Sequence, residues 1–185
     1  GVIAGLDPLG RMFHELPDIE FKQTLHDGTS VQGETIGTVS GTMHAVLGAE
    51  RIILNILGHA SGIATRTRRY VDALHGTSCS VCDTRKTTPG LRCLDKYAVA
   101  CGGGVLHRLN LQDAALFKDN HLATMSDLSA ELGDAIQIAR SSHNLQFVEV
   151  EVDSLSQLSE VLLLDVDIIL LDNMTNEQLC EAVKL

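Results

Sequence analysis

FVEVEVDSLSQLSEVLLLDVDIILLDNM, residues 147–174, is the stretch whose reading decides the fold. Residues 147–152 carry the two-residue period of a strand. Residues 154–164 change to helical spacing, with Leu155, Leu158, Val161 and Leu162 on one stripe. Residues 166–171 are short, apolar and strand-like again. A strand, a helix and a strand in this order mean parallel strands joined by a helical crossover.

The same alternation extends both ways. Upstream, residues 78–82 read as a strand and residues 114–117 as another. Between them Thr88-Pro89 reads as an N-cap with proline at the first helical position, followed by the stripe Leu91, Leu94, Tyr97, Ala98 and Cys101. The run Gly102-Gly103-Gly104 stops that helix or cradles a phosphate. Ser126 reads as the cap of a helix reaching to about Arg140, and Thr175 with Gln178 forms a capping box for the last helix. Residues 50–74 have helical spacing, although Gly58 and Gly62 argue against one unbroken helix or allow another backbone to pack closely. Residues 1–48 are rich in turns and read as a small β-rich layer.

The chain has 185 residues, 44% hydrophobic, with 3% aromatics and no tryptophan, so the core is aliphatic. Its apolar runs, such as 161–164 and 168–171, fall far short of the ~18 residues of a membrane span. The first residues show no basic head or cleavage pattern, and five cysteines are an odd count, so reduced thiols and a cytoplasmic location are expected. Cys79 and Cys82 form C-x-x-C, but on a strand they face opposite sides and read as structural.

The net charge of −10 argues against nonspecific nucleic-acid binding. It hides a cationic middle. From residue 51 to residue 118 ten cations face only four acids, Asp72, Asp83, Asp95 and Asp113. Solvated helix faces account for Arg66, Arg68, Arg69, Arg92 and Lys96, but not for cations at strand ends. Arg85 and Lys86 follow the first strand, and Lys118 with Asn120 follows the second. Glu149, Glu151 and Asp153 belong to the third, and Asp172 with Asn173 follows the fourth. Parallel β/α folds place their sites at these carboxyl ends. Arg grips carboxylate or phosphate with two parallel hydrogen bonds, Lys supplies a point charge, and Glu and Asp suit Mg²⁺ directly or through water. Glu149 and Glu151 face the same side of their strand. Facing inward they need a partner; facing outward they are solvated. His107-Arg108 follow the glycine run, and Arg51 reads as lying near a helix start, where the dipole disfavours a cation.

The stretches ERIILN and SGIATRTRRYVD within 50–72, DTRKTTPGLRCLDKYAV at 83–99, GGGVLHR at 102–108, ALFKDNH at 115–121, VEVEVDSL at 148–155 and DIILLDNM at 167–174 resemble the quinolinate phosphoribosyltransferases. The resemblance implies an α/β fold: a partial parallel α/β barrel preceded by part of a small α/β sandwich domain. Its segments would be 1–48, a linking helical segment 49–76, and the barrel part 77–185. It implies phosphoribosyl transfer from phosphoribosyl pyrophosphate to quinolinate with decarboxylation, a step of NAD biosynthesis. Arg85, His107, Arg108 and Lys118 would hold the carboxylates of quinolinate. Lys86 would contact phosphoribosyl pyrophosphate. Glu151 and Asp172 would face the ribose and the Mg²⁺-pyrophosphate, with Asn173 nearby. Arg51 would enter the neighbouring site of a homodimer, or of a higher oligomer built from it. Family chains run longer at both ends, and the glycine-rich loops that bind ribose 5-phosphate have no counterpart in these residues.

Three other readings fit parts of the sequence. One is a Schiff-base lyase using Lys118. Another is a lipoyl- or biotinyl-like carrier, since residues 26–41 resemble that hairpin, but 26–49 lack the lysine a carrier needs. The third is an inactive or assembly-only relative.

Overall fold

The computed structural model describes residues 1–142 and 144–185. The chain divides into two compact units, Gly1–Leu109 and Asn110–Leu185.

The first unit contains α1 (Leu6–His14), the antiparallel pair β1 (Ile19–Gln23) and β2 (Gly37–Gly41), the long α2 (Met43–Ala73) and α3 (Arg92–Cys101). Helix α1 departs from the β-rich layer expected for residues 1–48. Its apolar residues Leu6, Leu9 and Phe13 share one buried face. Gly5 has no side chain to cap it. The Asp27 carboxylate does so instead, accepting from the N–H groups of Leu6 and Asp7, both at 3.0 Å.

Helix α2 runs 31 residues without a break, capped by Thr42 Oγ1, which accepts from the Ala45 N–H at 3.3 Å. Gly58 and Gly62 neither interrupt it nor seat another backbone: nothing lies within 4 Å of where a Cβ would stand on either. Each glycine costs a helix about 1 kcal/mol. Burial along both halves of α2 offsets this. Ala49 and Ile53 pack with Leu9, Phe13 and Ile19, while Ala60 and Ala64 pack with Val2, Ala4 and Ala98. The close backbone approach occurs instead at Gly102. There a Cβ would meet Ala64 O and Thr67 Cβ, both at 2.6 Å. Of the two readings of the glycine run, the geometry shows a helix stop that is also a packing seat on α2.

Two further expectations are corrected in this unit. Thr88-Pro89 does not open a helix. The Leu91 N–H closes a turn onto Thr88 O at 3.0 Å, and Gly90 has φ +79°, which takes the chain out of helical geometry before α3 starts at Arg92. Residues 78–82 do not form a strand. Cys82 makes one isolated parallel bridge with Val105, where the Val105 N–H donates to Val81 O at 2.8 Å and the Asp83 N–H to Val105 O at 3.1 Å. Among the described residues of this unit the ladder has only that step. Cys79 and Cys82 are both exposed, so they are not core cysteines on opposite strand faces.

In the second unit β3 (Ala114–Phe117), β4 (Phe147–Val152) and β5 (Ile168–Leu171) form a parallel sheet in that order. The chain threads α4 (Asp119–Leu122) and α5 (Leu128–Ser142) between the first two strands, α6 (Leu155–Val161) between the next two, and ends in α7 (Asn176–Ala182). Val148, Val150 and Val152 of β4 are fully buried against Leu132, Ile136, Leu158 and Val161. Each contributes about 1.5–3 kcal/mol of burial. Helix α5 begins at Leu128, because Asp127 and not Ser126 supplies the cap, accepting from the Ala130 N–H at 3.1 Å. The Thr175–Gln178 capping box is present as read. The fold class is the expected one, α/β with parallel strands and helical crossovers. Among the described residues no helix is long and apolar enough to cross a membrane.

The glycine geometry gives two substitutions of opposite sign. Gly102→Ala places a methyl into α2 and is expected to destabilise by about 1–3 kcal/mol. Gly58→Ala meets only open space in a helix interior and is expected to stabilise by roughly 0.5–1 kcal/mol. Urea unfolding midpoints of the two variants check both signs.

Candidate active site

Arg85 and Lys86 lie in the segment that follows the Cys82–Val105 bridge. Arg85 is half-buried, and its Nε is buried with no hydrogen-bond partner among the described residues. A buried donor without an acceptor is costly, so this geometry suits an acceptor brought by a ligand. Lys86 is exposed. The segment is tied down locally. The Lys86 N–H donates to Thr84 Oγ1 at 3.1 Å, and Arg92 Nε donates to Thr87 Oγ1 at 3.2 Å.

Lys96 corrects an expectation. It is not on a solvated face but only 3% exposed. Its Nζ donates to both oxygens of Asp83, at 2.7 and 2.6 Å, and to His107 O at 3.1 Å. The His107 N–H donates to Asp83 Oδ1 at 2.7 Å. Both polar groups that bracket His107 on the backbone are therefore held by one ion pair. Arg68 and Arg92 also serve the fold more than solvent, with Arg68 Nε donating to Gly102 O at 2.9 Å. Arg66 and Arg69 are exposed, as read.

Asp95, the neighbour of Lys96, is 7% exposed. His59 Nε2 lies 2.6 Å from its Oδ1, and the Thr88 N–H donates to its Oδ2 at 2.8 Å. Burial pushes the Asp95 carboxyl up, but the hydrogen bonds from His59 and Thr88 outweigh burial and leave its pKa below the usual carboxylate range. The signal for these residues was present in the sequence only as an Asp-Lys pair inside a helical stripe.

In the second unit Lys118 follows β3, Glu151 lies in β4, and Asp172-Asn173 follow β5. Lys118 Nζ donates to Glu151 Oε2 at 2.7 Å. That bond raises the lysine pKa; the cost of burial opposes it, and the charges of Glu151, Asp119 and Asp172 add to it. A Schiff-base lysine needs a neutral amine, so this environment works against the lyase reading. Glu149 is 3% exposed, which rules out the reading in which both strand carboxylates face solvent. Asn173 Nδ2 donates to Asp172 Oδ2 at 2.6 Å, and Asn173 adopts φ 53°. A cavity of about 220 Å³ opens beside Asp119, Asn120, Asp153 and Gln157, past the carboxyl ends of β3 and β4.

Arg51 is in the third turn of α2, exposed, and not near the helix start. The dipole effect fades within the first turn, so the expected local cost is absent. A cavity of about 650 Å³ along α2, lined by Ser61, Gly62, Thr65, Arg66, Arg69 and Tyr70, contains none of the candidate residues and is an open helix surface.

The lowered Asp95 pKa has a sign that can be checked. A depressed carboxylate stabilises the fold fully above its unfolded pKa of about 3.9 and progressively less as pH falls through its folded value. The gap in melting temperature between the protein and Asp95→Asn is therefore expected to narrow as pH falls below about 4. Parallel thermal melts across an acid pH series check this.

The family model for the quinolinate phosphoribosyl transferase N-terminal domain matches residues 1–61, and that for the C-terminal domain matches residues 63–185. A probable nicotinate-nucleotide pyrophosphorylase [carboxylating] of Synechocystis is 42% identical across the whole chain, which covers 62% of that relative. The Mycobacterium leprae enzyme of that name is 45% identical over 94% of this chain and 61% of its own. Among solved structures, NadC from Streptococcus pyogenes matches with TM-score 0.88 and 41% identity, over 100% of this chain and 65% of that one. The nicotinate-nucleotide pyrophosphorylase from Francisella tularensis matches with TM-score 0.89 and 34% identity, over 99% and 65%. The chain thus spans about six-tenths of the length of the curated relatives described here. With both family models matched in order along its length, the chain belongs to the quinolinate phosphoribosyltransferase family.

Proposed function

We propose that the protein serves the transfer of a phosphoribosyl group from phosphoribosyl pyrophosphate to quinolinate, with release of pyrophosphate and CO₂ and formation of nicotinate mononucleotide. The observation that carries this reading is Arg85, half-buried with a buried Nε that has no acceptor among the described residues, beside the exposed Lys86 in a chain of net charge −10. Such an arrangement suits a small dianion better than any group of the chain itself. The names of the relatives support the same chemistry.

In this reading Arg85, His107 and Arg108 of the first unit grip the carboxylates of quinolinate. Lys118 has donors left beyond its bond to Glu151, which suit an anionic group of a substrate. The ring nitrogen donates its electron pair to ribose C1 as the C1–O bond to pyrophosphate breaks. Glu151 stabilises the cation-like ribosyl centre, and Lys86 the departing pyrophosphate. The bond from the ring to the adjacent carboxylate then breaks. CO₂ leaves, its electron pair stays on the ring carbon beside the new ring cation, and a proton from water completes the product.

Mg²⁺ belongs to this proposal. Among the described residues no three His, Cys, Asp or Glu side chains form a ready cage for a metal. The oxygen donors of Glu151 and Asp172 fit an ion that arrives on the pyrophosphate and keeps most of its waters. When bound there, it would neutralise charge on the leaving group. The working unit is proposed to be a homodimer in the cytoplasm, with the exposed Arg51 serving the neighbouring site.

Calorimetry distinguishes this reading from a generic anion site. Nicotinate lacks one carboxylate of quinolinate, and loss of one charge-assisted contact is expected to weaken binding by about 1.5–3 kcal/mol. Equal affinities overturn the assignment. The subunit arrangement has its own check. Arg51→Ala and Lys118→Ala are each expected to abolish turnover of the assembled enzyme. Mixed with free subunit exchange, they recover about a quarter of full activity, because half the dimers then hold one intact pocket. If Arg51 serves its own subunit, activity stays at the level of the single variants.

A further inference from the structure

Lys96 and Asp83 have no part in the chemistry just described, yet their side chains are only 4% and 6% exposed. Stability alone does not call for such a pair, since apolar residues of similar volume fill a core as well or better. What the pair holds is more informative. Asp83 accepts the His107 N–H at 2.7 Å, and Lys96 donates to His107 O at 3.1 Å, so the backbone on either side of the His107 side chain is gripped. Asp83 stands two residues before Arg85, and His107 one before Arg108. The preceding residue on α3, Asp95, fixes the far end of the Arg85 segment through the Thr88 N–H at 2.8 Å. Consecutive side chains of one helix thus secure both ends of residues 83–88 and the start of the pair 107–108.

We propose that Asp83 and Lys96 are positioning residues for ligand selection: they lock His107-Arg108 to the segment bearing Arg85, and so set the spacing at which two cationic arms meet the two carboxylates of a vicinal aromatic diacid. This rests on the functional reading above. Arms at a fixed spacing reward a ligand carrying both carboxylates. Arms that drift still hold a monoacid one at a time. Loosening the clamp therefore removes preference for the diacid rather than anion binding in general. Arms held in place bind a matching ligand without an ordering cost, and loosening them restores that cost for the diacid.

The test uses Asp83→Leu/Lys96→Met, which removes both charges together and leaves no unpaired buried ion, alongside Asp83→Asn, which keeps the shape and an acceptor but leaves the Lys96 charge without its carboxylate. Two readouts are taken: affinities for quinolinate and nicotinate by calorimetry, and hydrogen exchange of the His107 amide by NMR. The expected result is a folded double variant whose quinolinate affinity drops at least about tenfold while nicotinate affinity changes by less than about threefold. Exchange at His107 accelerates about 100-fold or more, and exchange of the buried α2 amides does not change. Asp83→Asn moves both readouts in the same direction, and it decides the matter alone if the double variant does not fold. Unchanged diacid preference with slow His107 exchange in a folded variant overturns the proposal. So does an equal loss for both acids, which marks a merely structural pair. If the unsubstituted protein shows no diacid preference, the functional reading falls, and unaltered His107 exchange in the variants then overturns the clamp as well.

Discussion

An ammonium and a carboxylate withdrawn from water tie together the parts of the first unit that carry Arg85 and His107. Lys96 and Asp83 sit 2.6 Å apart with almost no exposure. Removing one partner from such a pair costs about 3–5 kcal/mol, because the other charge is left buried and unpaired. The pair is therefore close to all-or-none: where it forms, α3, the Cys82–Val105 bridge and the His107 peptide are fixed together. The lysine can reach inward because α3 is seated on α2 at a distance that only a glycine tolerates, with Gly102 against Ala64 and Thr67. A steric constraint thus sets the depth of the helix, and an electrostatic one sets the loops that carry Arg85 and His107.

The second unit uses the same two forces with the weights reversed. Three fully buried valines of β4 anchor the sheet to its helices. The alternation that buries them turns Glu149 and Glu151 to the opposite face, where Lys118 meets Glu151 at 2.7 Å. The carboxylate keeps the lysine charged, and the lysine orients the carboxylate. Each unit therefore offers polar groups at the carboxyl end of an extended segment, held by partners from its own elements. Electrostatic preorganisation of this kind is what transfer of a highly charged group requires.

Where one period dominates, the sequence was legible. The strands of the second unit and the capping box at Thr175–Gln178 follow from alternation and spacing within a few residues. Elements decided at long range were not. Helix α1 depends on a cap from Asp27, some twenty residues away, and Pro8 and Gly10 hid its stripe. Helix α2 runs through two glycines because tertiary burial outweighs their propensity. Thr88-Pro89 looks like a helix start, but the Thr88 N–H has a better acceptor in Asp95. Of the candidate site, Lys118 and Glu151 were readable as polar residues at strand ends, and Arg85 as a cation beyond an extended segment that proved to be a single bridge. Lys96 was not, since a lysine in an amphipathic helix looks solvated until its aspartate partner, thirteen residues earlier, is brought beside it.

The central claim is that the buried Arg85 Nε awaits a carboxylate from a small diacid. Its N–H gives a resolvable ¹H–¹⁵N signal, which can be followed while quinolinate is titrated into the protein. The account predicts a large, saturable downfield shift of that proton with the diacid, and no such shift with an uncharged pyridine of the same size. A signal that stays in place while quinolinate binds elsewhere on the protein would contradict it.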